Sequence, residues 1–234
     1  MRKQQHLTND MRSILIQWLI DVSIEYGLVE ETVFLAVHYI DRFLSVMSVV
    51  RDKFQLLGAA AIMISVKVED VIKIPPEDWS MLTANAYTTR QIIRMEQFIM
   101  NVLKFDLRPP TVICFIRHIC ARYDFTKDTL LLSTYVAELT LLDGNKYIEY
   151  LPSKLAVSAI VLVRHVLNES EPYFENLQFC CGYSCEEIKS VMIQMYCTLC
   201  EACGGKFQSI ERKYGDKVSE FLATINRNNM NFFA

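Results

Sequence analysis

Leu57-Gly58-Ala59-Ala60-Ala61-Ile62-Met63-Ile64 is the stretch on which the fold turns. It is apolar on nearly every side, so as a helix it has no solvent face and belongs at the centre of a bundle. Its small residues let neighbouring helices approach closely. The stretch sits inside an expected helix over residues 53–69. Slid along the chain, it lies over Leu155-Ala156-Val157-Ser158-Ala159-Ile160-Val161-Leu162, with residue 57 on residue 155, an offset of 98. The same offset carries Ile14-Leu15 onto Val112-Ile113. Solenoid repeats have periods of about 20 to 50 residues. Two matching units are therefore expected rather than an array.

Helical periodicity surrounds each copy. In the first half it predicts helices over 11–26, from Glu30 through Phe34, Val37, His38, Ile40, Phe43 and Leu44, and over 53–69. Asn9-Asp10 and Asp52 are the expected caps of the first and third. Pro75-Pro76 breaks the pattern, after which a short helix over 77–82 and a long one over 88–104 follow. Leu107-Arg108-Pro109-Pro110-Thr111 reads as a stiff connector. Beyond it, helices are expected over 111–123, 127–142 and 152–167, near 173–180, and over 185–202. The expected fold is all-α, with two tandem five-helix repeats at 1–108 and 109–205. A more polar tail from Gly204 onward (206–234), ending in Asn226 to Asn231, is expected to pack in part or fray.

Composition narrows the function. The 234 residues are 52% hydrophobic, with only 7 Gly and 6 Pro, and the net charge is −3. No basic block is present, so nucleic acid is not an expected direct partner. The longest apolar run, 56–66, is shorter than the roughly 20 residues a membrane span needs, so no membrane partner is expected. The first ten residues carry no apolar signal stretch. Four histidines (His6, His38, His118, His165) lie apart, with no nucleophile–base spacing and no glycine-rich phosphate loop. No catalytic, metal or cofactor site is expected. The eight cysteines include Cys197, Cys200 and Cys203 at three-residue spacing, with Cys180, Cys181 and Cys185 upstream. On a helix that spacing spreads thiols around the surface. Structural free thiols that behave as small hydrophobes are the favoured reading, with a metal site as the alternative.

Met11-Arg12-Ser13-Ile14-Leu15-Ile16-Gln17-Trp18-Leu19 opens the first unit. Met11, Ile14, Leu15 and Trp18 follow i, i+3, i+4, i+7 and share one helix face. Leu19 and Val22 widen the apolar arc beyond one core contact. Taken alone, such a stripe reads first as core and second as a docking surface.

These residues resemble the cyclin family. The opening run is similar to the Met-Arg-Ala-Ile-Leu-Val-Asp-Trp-Leu signature of the first cyclin box. Tyr39-Ile40-Asp41-Arg42-Phe43-Leu44-Ser45, Lys53-Phe54-Gln55-Leu56, Lys67-Val68-Glu69-Asp70, Arg94-Met95-Glu96 and Lys104-Phe105-Asp106-Leu107 follow in the family's order. Tyr150-Leu151-Pro152-Ser153 fits the second box. The resemblance covers residues 9–205, and Met47-Ser48-Val49 looks more A-type than B-type.

The resemblance implies a regulatory subunit, itself no enzyme, that forms a heterodimer with a cyclin-dependent Ser/Thr kinase and activates it. In this family the first box presses on the kinase's αC helix and activation segment, restoring the αC glutamate–β3 lysine pair. Matched to the family's motifs, Lys67 and Glu96 fall where a charged pair meets kinase backbone. Ile64, Met100, Phe105 and Leu107 match the apolar surface around that pair. Met11, Ile14, Leu15, Trp18, Arg51, Phe54 and Gln55 match a hydrophobic patch that recruits Arg-x-Leu substrates and inhibitors, and Asp21 stands at the acidic position. Control of cell-cycle progression and a nuclear location are implied in the same way.

The sequence departs from the family at several points. Phe54 replaces a leucine, Asp21 a glutamate and Val68 an aromatic residue. Two extra residues sit between Glu69-Asp70 and Pro75-Pro76. Of the helix that usually precedes the first box, almost nothing is expected within these residues, and no upstream destruction box is expected among them. Arg12-Ser13-Ile14-Leu15 fits a bare Arg-x-x-Leu pattern, but inside a structured helix it makes a poor degradation signal. The competing expectation is a cyclin-box scaffold of the general transcription factor IIB type, binding DNA and polymerase. That role calls for a basic face, which the net charge of −3 opposes.

Overall fold

Both small-residue motifs lie in helices buried on every side. The computed structural model describes residues 4–72, 74–203 and 208–227, and no strand occurs among them. In chain order the first half holds α1 (Asn9–Glu25), α2 (Glu30–Val46), α3 (Phe54–Glu69), α4 (Pro76–Leu82) and α5 (Thr89–Val102). The second half holds α6 (Val112–Arg122), α7 (Lys127–Leu142), the single turn α8 (Gly144–Tyr147), α9 (Pro152–Val166), α10 (Glu175–Cys181) and α11 (Cys185–Cys203), followed by α12 (Gln208–Tyr214) and α13 (Asp216–Arg227). The chain divides into two compact units between Pro109 and Pro110, inside the proline connector.

In the first unit α3 packs against α1, α2, α4 and α5. Every residue from Leu56 to Val66 is buried, Gly58 among them. A Cβ on residue 58 would stand 2.7 Å from Leu15 Cδ1. Glycine therefore lets α1 seat Leu15 directly on α3. In the second unit α9 has the same role among α6, α7, α10, α11 and α13, with Leu155 through Arg164 buried. Pro152 starts that helix at a position where a missing N–H carries no penalty.

Two expected caps are corrected. Thr8, rather than Asn9 or Asp10, caps α1: its hydroxyl accepts from Met11 N at 3.2 Å. Asp52 lies in a 3₁₀ turn (Arg51–Lys53) that leads into α3, and α3 has no side-chain cap. α5 begins with a reciprocal capping box: Gln91 N donates to Thr88 Oγ1 at 3.3 Å and Thr88 N to Gln91 Oε1 at 2.8 Å.

The tail expectation also changes. Residues 204–207 and 228–234, which include Gly204 and Asn228 to Asn231, lie outside the described residues. Between them, α12 and α13 are integral to the second unit, which therefore extends past residue 205. Val218, Phe221, Leu222 and Ile225 of α13 are buried. The fully buried carboxylate of Glu138 on α7 accepts from Lys213 Nζ at 2.9 and 3.1 Å and from the Tyr214 hydroxyl at 2.5 Å. Four donated hydrogens or fewer suffice to compensate a buried carboxylate, and here two side chains of α12 supply them.

The eight cysteines are free thiols, as expected, but most do not pack as small hydrophobes. Only Cys120 is buried; Cys114, Cys180, Cys185, Cys197 and Cys200 are exposed. Among the described residues no three His, Cys, Asp or Glu side chains are grouped to hold a metal ion. No helix among them is long and apolar enough to cross a membrane.

Candidate functional site

α5 ends on a strained backbone. Lys104 and Phe105 both have positive φ, 54° and 57°, a region costly for side chains other than glycine's. Phe105 N donates back to Met100 O at 3.0 Å, closing the helix end. The segment is then fastened at three points. The hydroxyl of buried Tyr39 donates to Leu107 O at 2.5 Å. Arg42 pairs with the Asp106 carboxylate at 2.9 Å and donates to Asp106 O at 3.0 Å. Arg108 donates to Val68 O at 2.8 Å, satisfying a carbonyl in the last turn of α3. Burial pushes the Tyr39 phenol up to about 12, so it remains a donor at neutral pH. The result is an aromatic ring, Phe105, held 64% exposed. Strain that surrounding contacts enforce is characteristic of functional positions.

Beside this segment Lys67, in the last turn of α3, meets Glu96 of α5, with Nζ 2.5 Å from Oε1. The two side chains are unlike in burial: Lys67 is 58% exposed and Glu96 only 9%. An ammonium has three donors, and one engages Glu96, so the solvent side of Lys67 is open to another acceptor. Met100 and Leu107 are half-buried. Ile64 is 2% exposed, so it supports this face from beneath rather than lining it. Asp70, at the end of α3, accepts from Val29 N at 3.1 Å and from the Thr32 hydroxyl, supplying the α2 N-terminus with the cap its own sequence lacks.

The second face lies on α1. Ile14 is 66% exposed, Met11 and Trp18 are half-buried, and Asp21 is exposed one turn beyond Trp18. Arg51 is exposed and Gln55 half-buried at the start of α3. Leu15 and Phe54, each 5% exposed, are core residues under this surface rather than walls of it. Arg12 points the other way: its guanidinium is buried and grips Asp41 of α2 with two bonds of 2.7 and 2.6 Å.

Sequence reasoning missed Tyr39, Arg42 and Arg108 as fasteners. Their partners are backbone carbonyls and an aspartate distant in the chain, which leave no periodic trace. Tyr39 and Arg42 lie in the Tyr39–Ser45 motif and Arg108 in the proline connector, which is the sequence signal they carry.

Residues 1–108 match the family described as "Cyclin, N-terminal domain", and residues 110–228 match "Cyclin, C-terminal domain". The chain belongs to the cyclin family. Cyclin-A1 of Carassius auratus is 42% identical over 220 residues, which cover 92% of this chain and 54% of the relative. G2/mitotic-specific cyclin-A of Drosophila melanogaster is 40% identical over 227 residues, 96% of this chain and 46% of the relative. The chain thus spans about half the length of the curated cyclins it matches, and these are A-type. Among solved structures, a viral cyclin from herpesvirus saimiri superposes with a TM-score of 0.65 at 19% identity, covering 94% of this chain and 89% of that one. A chain of the yeast RNA Pol II CTD kinase CTDK-1 complex gives a TM-score of 0.68 at 12% identity, covering 94% and 76%. Both likenesses bear on the cyclin fold alone. The Lys67–Glu96 pair, Phe105 and the α1 surface all belong to the N-terminal cyclin domain.

Proposed function

We propose that this chain is a non-catalytic regulatory subunit that binds a cyclin-dependent kinase through the α3–α5 face and activates it as a heterodimer. The observation that carries the reading is Phe105, exposed on a strained and triply fastened backbone beside an ion pair whose lysine faces solvent. An apolar anchor next to a free donor suits a partner helix whose terminal backbone groups need satisfaction as they are buried. Activation follows by population shift: the chain binds the active kinase arrangement more tightly and so enriches it. The A-type relatives, some of them named G2/mitotic-specific, support a role in cell division, and nuclear residence belongs to the same proposal.

The α1 surface is the proposed recruiter of Arg-x-Leu substrates and inhibitors. Exposed Ile14, with Met11 and Trp18 beside it, offers apolar area for the leucine, and Asp21 offers a carboxylate for the basic residue. Leu15 and Phe54 set the floor. The experiment is to mix the chain with a cyclin-dependent kinase catalytic subunit and follow phosphorylation of a histone substrate. Activation is expected; absence of both binding and activation defeats the proposal.

A further inference from the structure

We infer that His38 is a positioning residue of the proposed kinase face: its neutral imidazole leaves Arg42 to hold Asp106, and its protonation loosens that hold and lowers kinase affinity. The inference rests on the α3–α5 reading above. His38 lies on α2 one turn before Arg42, so the two side chains are neighbours on the helix surface. Its ring stands edge-on to Tyr39, with centroids 6.4 Å apart. His38 is thus flanked by two of the three groups that fasten the segment after α5: Tyr39, which bonds Leu107 O, and Arg42, which bonds Asp106. The ring is half-buried, and its Nε2 atom is buried with no hydrogen-bond partner.

Protonation changes what that nitrogen requires. A neutral imidazole can present Nε2 as an acceptor, whereas an imidazolium donates at both nitrogens. A buried N–H without an acceptor is costly. The charged groups acting on the ring are Arg42 and Asp41 of its own helix and Asp106 of the segment after α5. The Tyr39 phenol stays neutral in the range where histidine titrates. Asp41 is already gripped twice by buried Arg12. That leaves Asp106 as the carboxylate an imidazolium draws, and it is the one Arg42 holds at 2.9 Å. Burial first and Arg42 second hold the pKa of the ring below 6.5, and by reciprocity the protonated ring disfavours Arg42 in its place. Both effects act against the same clamp. Lys104 and Phe105 keep their positive φ only while surrounding contacts enforce it. A weaker clamp thins the population in which Phe105 is presented, and affinity falls in proportion.

The test measures the affinity of the full chain for a cyclin-dependent kinase catalytic subunit by calorimetry, from about pH 7.5 to about pH 5.5, where a free histidine titrates. Dividing the Kd of wild type by that of His38→Gln at each pH cancels the kinase's own titration. The ratio is expected to rise as the pH falls, by roughly threefold or more in all and by no more than about tenfold per pH unit, because one proton is involved. In an Arg42→Gln background the same ratio is expected to stay level. A level ratio in the wild-type background overturns the inference, and so does an equal rise in both backgrounds. NMR titration of the free chain gives a second measurement that needs no kinase. The His38 pKa is expected to rise in Arg42→Gln and to fall in Asp106→Asn; a value unmoved in both overturns the coupling. The α3–α5 reading fails separately: it falls if Lys67→Ala/Glu96→Ala binds as tightly as wild type, whatever the ratio. If wild type binds no kinase, both fall.

Discussion

Leu15 of α1 occupies the notch that Gly58 leaves in α3, so close that a Cβ at residue 58 would lie 2.7 Å from Leu15 Cδ1 and 3.2 Å from its Cγ. Because Leu15 is itself 5% exposed, it has little room to retreat. Replacing Gly58 by valine is therefore expected to destabilise the chain by about 2 kcal/mol, overpacking outweighing the gain in helix propensity. Chemical denaturation of the variant measures this; wild-type stability would show that α1 moves freely on α3.

Arg12 and Asp41 link α1 to α2. Asp41→Ala leaves a guanidinium buried without its carboxylate and is expected to cost about 3 kcal/mol. Asp41→Asn keeps an acceptor and should recover part of that loss. Urea midpoints of the two variants, compared at equal slope, decide the matter.

His38 introduces a pH dependence. Burial chiefly, and then nearby Arg42, hold its pKa below the ordinary 6.5, against the opposing pull of Asp41 and Asp106. Well above pH 6.5 the ring is neutral in both folded and unfolded chains and contributes no slope. As the pH falls below that value the unfolded chain takes up the proton first, so stability declines until the folded ring is protonated too. His38→Gln is expected to flatten the stability profile between about pH 7 and 5, where the free histidine titrates. A variant profile as steep as wild type in that window would assign the slope to other groups.

Cysteine reactivity should follow burial. Burial pushes the Cys120 thiol up to about 11, against a smaller opposing effect of Arg164. The thiolate is the nucleophile, so at neutral pH iodoacetamide should label exposed Cys114, Cys180, Cys185, Cys197 and Cys200 well before Cys120. Mass spectrometry of the alkylated chain reads the order directly.

The contrast between α3 and the C-terminal helices explains what sequence could convey. α3 and α9 were legible because a helix without a polar face has one place to go. α12 is short and polar, and what docks it is Glu138 on a helix 75 residues earlier, a pairing no local pattern reveals. The same holds at the site. Spacing placed Met11, Ile14, Leu15 and Trp18 on one face, but how deep each sits depends on the Gly58 notch across the helix contact. Likewise Ile64 and Phe54 match positions in a motif, while their burial is set by neighbours from other helices. Positive φ at Lys104 and Phe105 left no sign either, since neither residue is one that favours it.

The central claim is that the Lys67–Glu96 face, and not the α1 surface, holds the kinase. Calorimetric titration of a bound cyclin-dependent kinase subunit against wild type, Lys67→Ala/Glu96→Ala and Trp18→Ala tests it most directly. The account predicts a loss of roughly tenfold or more in affinity for the α3–α5 double variant and little change for Trp18→Ala. A folded double variant that binds the kinase as tightly as wild type would contradict it.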